Sequence, residues 1–230
     1  MKLNPDMKSC ARIWACVSLI LVTTVTRLAA EHWNRFRGPN GTGLANSSVK
    51  LSELKKSDVV WKLDLPGKGH SSPVIWDDTL YLTSMNEESS SFHVIAIHSD
   101  SGSIHWSRDL AYQAFSKHDF NSFASPSAAV DADRIYLSWA TRDHYFVAAM
   151  DHAGEWLWKE DLGPFKSQHG VGVSPIIYHD KLIVANDQLG KSFIIALDKR
   201  SGSTIWKTER QSDKTAYSTP CIYKAPNGKD

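Results

Sequence analysis

Cysteine is nearly absent from this chain, which has three in 230 residues. Cys10 and Cys16 lie in an N-terminal leader, so Cys221 stands alone and an intramolecular disulfide is excluded from the rest. Stability has to come from packing. An excess of one charge is also lacking. Beyond the first 30 residues there are 22 basic and 24 acidic side chains, a formal net charge of −2, with no concentrated Lys/Arg run. That balance excludes the electrostatic footprint of a nucleic-acid binder. No apolar run is long enough to span a bilayer comfortably. The longest, Ile13 to Val25, follows the basic Lys2, Lys8 and Arg12 and precedes the small pair Ala29-Ala30. This is the layout of an export signal over residues 1–30, cleaved near Ala30, with retention as an N-terminal anchor as the alternative. The remainder is expected in the periplasm or outside the cell. Membrane association would come only through an uncleaved signal or through partners. Convincing amphipathic helices are missing too. So are His-x-x-x-His, clustered His/Cys, a vicinal Cys pair and the Gly-x-Ser-x-Gly elbow, so no catalytic residue and no metal ligand is assigned by motif.

What is present is a repeat. Ser72-Pro73, Ser125-Pro126, Ser174-Pro175 and Thr219-Pro220 each open an apolar run, at intervals of 45 to 53 residues. The first three are followed by two further apolar runs and then by Gly-x-x-x-Trp, at Gly102 to Trp106, Gly154 to Trp158 and Gly202 to Trp206. Short runs rich in Val, Ile, Tyr, Phe and Trp, separated by Asp, Asn and Gly, read as strands and turns. Four strands per unit at this period predict an all-β fold, a β-propeller of four-stranded blades. One unit cannot bury its own apolar faces, so the repeat specifies stacking. The blades fall at about 70–110, 121–162 and 170–208, and a further one starts at 215–230 within the repeat region 58–230. Val59 to Leu65, inside the segment 58–65, copies the outer strand of a unit whose beginning is missing, with Trp61 in the place of the recurrent Trp. Three whole units fall short of even the smallest four-bladed ring, so a partial propeller is expected.

Between leader and repeats, residues 31–57 hold Trp33 to Gly43, with three Gly and one Pro in the last six. This is a tightly turned loop. Its Gly spacing is not a phosphate cradle, because no strand precedes it and no helix follows. It reads as a clamp whose Trp33 and Phe36 pack on the propeller.

Ala-Leu-Asp-x-x-Ser-Gly-x-x-x-Trp at Ala196 to Trp206 resembles the tryptophan-docking repeat of the quinoprotein superfamily. Ala96 to Trp106 and Ala149 to Trp158 are close copies, with His98 in place of the Asp and the second copy one residue shorter. The clamp is similar to the opening of many exported bacterial PQQ-like propeller proteins. The resemblance covers about residues 31–230. It implies the propeller fold and a structural role between blades for Trp61, Trp106, Trp158 and Trp206. One branch of that superfamily comprises dehydrogenases that hold pyrroloquinoline quinone (PQQ) over calcium, using a catalytic Asp and often a vicinal disulfide. None of those motifs can be placed here. The other branch comprises non-catalytic propellers, such as the scaffold subunit of the outer-membrane protein assembly machinery, and this sequence sits nearer to it.

His93, His98, His105, His144, His152 and His179 fall in strands or their turns and read as surface residues. His70, His118 and His169 each precede a blade's innermost strand, where equivalent loops meet on one face of the disc. Asp119, Asn121, Gln168 and Tyr217 occupy the same class of loop. Such loops on a rigid scaffold are where binding resides. His70, His118, Asn121, His169 and Tyr217 are therefore the candidates for a shared mouth that takes a protein or small-ligand partner, against the alternative of ordinary solvated loops. The expected function is a non-catalytic exported binding or scaffold module without a cofactor. The alternative is a PQQ- and calcium-dependent oxidoreductase whose site lies mostly in blades outside this chain.

Overall fold

The computed structural model describes residues 32–45, 54–226 and 228. The leader with its expected cleavage near Ala30 lies outside the described residues. Within them the chain is all-β. Three sheets follow one another, each an antiparallel meander of four strands in chain order. The first comprises β1 (Val74–Trp76), β2 (Thr79–Asn86), β3 (Ser91–His98) and β4 (Ile104–Ala111). The second comprises β5 (Ala129–Val130), β6 (Ile135–Ala140), β7 (His144–Met150) and β8 (Trp156–Pro164). β9 (Ile176–Tyr178), β10 (Lys181–Asn186), β11 (Ser192–Asp198) and β12 (Thr204–Arg210) form the third. These are three successive blades of a β-propeller.

Burial follows from stacking such sheets about an axis. β3 is buried at every position except its ends, because a middle strand between packed layers needs apolar side chains on both faces. β4 is exposed at alternate positions. Blades diverge outward, so the widening gap takes small residues within and large rings at the rim. The largest of those rings come from the recurrent Trp. Trp106 donates from Nε1 to the His152 carbonyl (2.9 Å), and its ring lies against Gly154, where a Cβ would sit 2.9 Å from Cδ2. Trp158 repeats this on the Lys199 carbonyl (3.2 Å) and Gly202. Trp61 does so on the Ser99 carbonyl (2.7 Å) and Gly102. Arg108 braces the first junction, donating to the carbonyls of Gly154 and Ala153, each at 3.0 Å.

The turns before these tryptophans explain the Asp and its replacement. Asp198 Oδ1 accepts from the backbone N–H of Arg200 and Ser201 (3.0 and 2.8 Å). In the first blade His98 Nδ1 accepts from the Asp100 N–H (3.2 Å). An imidazole lone pair does the carboxylate's work there.

Several sequence expectations are corrected. Ser125-Pro126 is not the counterpart of Ser72-Pro73. The pairs Val74↔Tyr81, Ala129↔Tyr136 and Ile176↔Ile183 align Ser72 with Ser127 and Ser174. A ladder along the inner edges confirms the alignment: the Ser72 N–H donates to Ser127 Oγ (2.8 Å) and the Ser127 N–H to Ser174 Oγ (2.9 Å). Ser125 instead closes its own loop on the Ser122 carbonyl (2.9 Å). Val59 to Leu65 forms no strand among the described residues, and Val60 is 84% exposed. Thr219 to Tyr223 likewise forms none. Trp206 has no glycine beneath it and is 37% exposed. His93 is buried, with Nδ1 2.7 Å from Asp109 Oδ1. His152 ties blades together, 2.8 Å from the Tyr81 hydroxyl and 2.9 Å from the Asp131 carbonyl.

The clamp crosses the inner edges. The Ile75 N–H donates to the Trp33 carbonyl and the Val130 N–H to the Asn34 carbonyl, both at 2.9 Å. Arg35 Nη2 reaches the Pro220 carbonyl (3.2 Å), and Asn40 exchanges two hydrogen bonds with the Ile222 backbone. Residues 33–40 thus join the first two blades to the segment after the third.

Buried phenols give the fold a pH dependence. Burial pushes Tyr81 and Tyr145 up to about 12 and raises Tyr112 and Tyr136 in the same direction. An unfolded tyrosine ionises near pH 10. The stabilisation from keeping these phenols neutral is therefore complete below about pH 10; the share of Tyr81 and Tyr145 is lost as pH rises from there to about 12, and that of Tyr112 and Tyr136 persists to higher pH. Melting temperature should fall steeply across that window, and Tyr145→Phe should flatten the fall. A melting temperature constant from pH 9 to 12 would contradict it.

Candidate functional site

Three connections bring side chains to one concavity of about 370 Å³, lined by His118, Phe120, Asn121, His169 and Tyr217. Two of them lead into β5 and β9, and the third follows β12. Asn121 fixes the first to the second: its Nδ2 donates to the carbonyls of His169 (2.6 Å) and Val171 (3.2 Å). Gly170 makes this approach possible, at φ +93°, since a Cβ would stand 2.8 Å from Asn121 Nδ2. Gly172 does the same for the third connection, where a Cβ would meet Tyr217 Cδ1 at 2.8 Å.

The rings form a partial wall. His118 and His169 meet edge to face with centroids 5.1 Å apart, and His169 lies 6.4 Å from Tyr217. Phe120 leans on His118 at 5.3 Å, yet its residue is 88% exposed. Its backbone N–H donates to His118 Nδ1 (3.2 Å). That contact assigns Nδ1 as an acceptor and leaves Nε2–H free to donate toward a ligand.

Four of the five predicted residues converge: His118, Asn121, His169 and Tyr217. His70 does not. Its backbone N–H is committed to the Ala124 carbonyl (3.0 Å) and Ser122 Oγ (3.1 Å), and its ring does not line the concavity. Asp119 and Gln168 are exposed and do not line it either. Phe120 is the residue that motif reading passes over. Its signal was a lone apolar ring within the polar stretch His118-Asp119-Phe120-Asn121.

The arrangement is suited to stacking and hydrogen bonding. Its free polar groups are two imidazoles and a phenol, the Asn121 amide N–H groups being committed to the His169 and Val171 carbonyls, and no carboxylate lines it. Calcium prefers a cage of six to eight oxygens, so these residues do not fit the calcium that PQQ chemistry needs. Among the described residues no group of three His, Cys, Asp or Glu is placed to hold a metal ion.

No family model matches the chain. A polyvinylalcohol dehydrogenase from Pseudomonas sp is 26% identical over 200 residues, covering 77% of this chain and 29% of that protein. A europium-containing methanol dehydrogenase structure matches 63% of this chain and 25% of its own at 18% identity, with a TM-score of 0.46. A quinohemoprotein alcohol dehydrogenase from Pseudomonas putida HK5 matches 65% of this chain and 22% of its own at 18% identity, with a TM-score of 0.47. The chain therefore spans under a third of the length of the curated relative it matches, and over most of its own length it is similar to a protein named as a dehydrogenase of a polymeric alcohol.

Proposed function

We propose that this chain is the binding part of an exported β-propeller, a non-catalytic module that takes a protein or small-ligand partner through the mouth formed by His118, Phe120, Asn121, His169 and Tyr217. One observation carries the reading. Side chains about 50 residues apart are fixed on one concavity by Asn121, and a phenylalanine is held there 88% exposed. An exposed ring on a braced loop costs solvation and suits a flat partner surface. Stacking on Phe120 and Tyr217 supplies area, while the Nε2–H of His118 and the imidazole of His169 supply direction.

The test is ligand-observed NMR with a panel of aromatic and pyranose compounds. Binding should weaken roughly tenfold in Phe120→Ala and in Tyr217→Ala, the scale of one lost stacking partner. His70→Ala should bind as the unaltered chain does. Equal loss in His70→Ala, or no loss in the first two, would remove this mouth from consideration.

A second reading is favoured by the similarity to polyvinylalcohol dehydrogenase: an oxidoreductase using PQQ and calcium, with cofactor residues outside the described blades. The protein, exported and supplied with both, would then bind quinone and reduce an artificial acceptor with an alcohol. The binding module would do neither.

A further inference from the structure

A second concavity, sharing no residue with that mouth, lies at the rim between the second and third blades. Its volume is about 410 Å³. Its lining is mostly apolar, with Leu162 from β8 on one side and Leu189 and Phe193 on the other. Lys166, Lys191 and Lys207 stand around it, and none has a carboxylate partner among the described residues. Glu209 is the single acid in the lining.

The walls are held in place. Gln188 is 2% exposed and staples the loop that carries Leu189 and Lys191. Its Oε1 accepts from the Lys166 N–H (2.8 Å), and its Nε2 donates to the carbonyls of Pro164 (2.9 Å) and Lys191 (3.2 Å). Lys207 Nζ lies 3.7 Å over the Phe193 ring, which keeps one cation at the apolar floor. The preceding cleft is filled differently. There Trp139 stands opposite Phe146 and packs on it and on Phe92. The register counterpart in the third blade is Asn186, opposite Phe193. Asn186 is buried and does not itself line this concavity, whose apolar floor is Phe193.

We infer that this cleft is a binding site for a small amphipathic carboxylate, whose apolar body lies on Leu162, Leu189 and Phe193 while its anionic end meets the lysines. The volume suits a ligand of two fused rings or a short chain. Three cations against one acid set the sign of the head group.

Calorimetric titration of the full chain with 2-naphthoate tests this, with 2-naphthamide as the neutral comparator. The carboxylate should bind at one saturable site and the amide roughly tenfold more weakly, with the difference shrinking in high salt. Lys166→Gln and Lys207→Gln together should reduce carboxylate binding to the level of the amide while leaving the amide unchanged. Leu189→Trp should block both. Phe120→Ala, at the other mouth, should affect neither. Equal affinity for the two compounds, absence of saturable binding, or insensitivity to the lysine pair and to Leu189→Trp would each overturn the assignment.

Discussion

Gly154→Ala should cost about 2–4 kcal/mol of stability, because the added methyl meets two penalties at once. Gly154 sits at φ +82°, where any L side chain is strained, and its Cβ would lie 2.9 Å from Cδ2 of the Trp106 indole. The indole cannot retreat, since its Nε1 is tied to the His152 carbonyl on the same turn. Gly163 separates the two penalties. At φ +97° it has nothing within 4 Å of the place a methyl would take, so Gly163→Ala should cost only the backbone part, about 1–2 kcal/mol. Urea unfolding of the two variants measures the difference directly. Equal losses would show that close contact with the tryptophan contributes nothing to the junction.

Trp158→Ala should be the most damaging change in the rim series, at about 3–5 kcal/mol. Its ring spans from β8 to the turn at Gly202, packs near Tyr136 at 6.3 Å, and donates to the Lys199 carbonyl. Removing it opens a cavity between two blades and takes one of that carbonyl's two donors, leaving Arg134 Nη1 at 3.2 Å. Trp206→Ala is the matched control. It occupies the same register position, opposite Ala196 as Trp158 is opposite Ala149, yet it is 37% exposed with no glycine turn beneath it. Its loss in this chain should stay below about 1 kcal/mol, as for an exposed side chain without a special role. If both changes cost the same, the tryptophans act within their own blades and the inter-blade account fails.

The elements were legible from local pattern, because strand, turn and repeat signals are properties of short windows. Apolar runs with turns at Asp77-Asp78 and Gly102, Gly154 and Gly202 give four strands per unit. The Gly-to-Trp spacing indicates where a ring from one unit seats on the next. The sites were only half legible. His118, Asn121, His169 and Tyr217 could be grouped as members of one class of loop, but membership of a loop does not say where a side chain points.

His70 shows the limit most clearly: its backbone N–H is bonded to the Ala124 carbonyl and Ser122 Oγ of the neighbouring loop, and its ring does not line the mouth. The inner ladder shows another. Counting from proline aligned Ser125 with Ser72, whereas cross-strand pairing selected Ser127. Phe120 and the lysine-rimmed cleft carried no motif at all. The sequence by itself determined an all-β repeat and the kind of residue at each blade position, since alternation and turn chemistry act within a few residues. Only the tertiary structure decided which loops touch, which histidines are buried and which cleft stays open. Those outcomes depend on contacts such as Asn121 with His169, or Gln188 with Pro164 and Lys166, that exist only once whole blades have stacked.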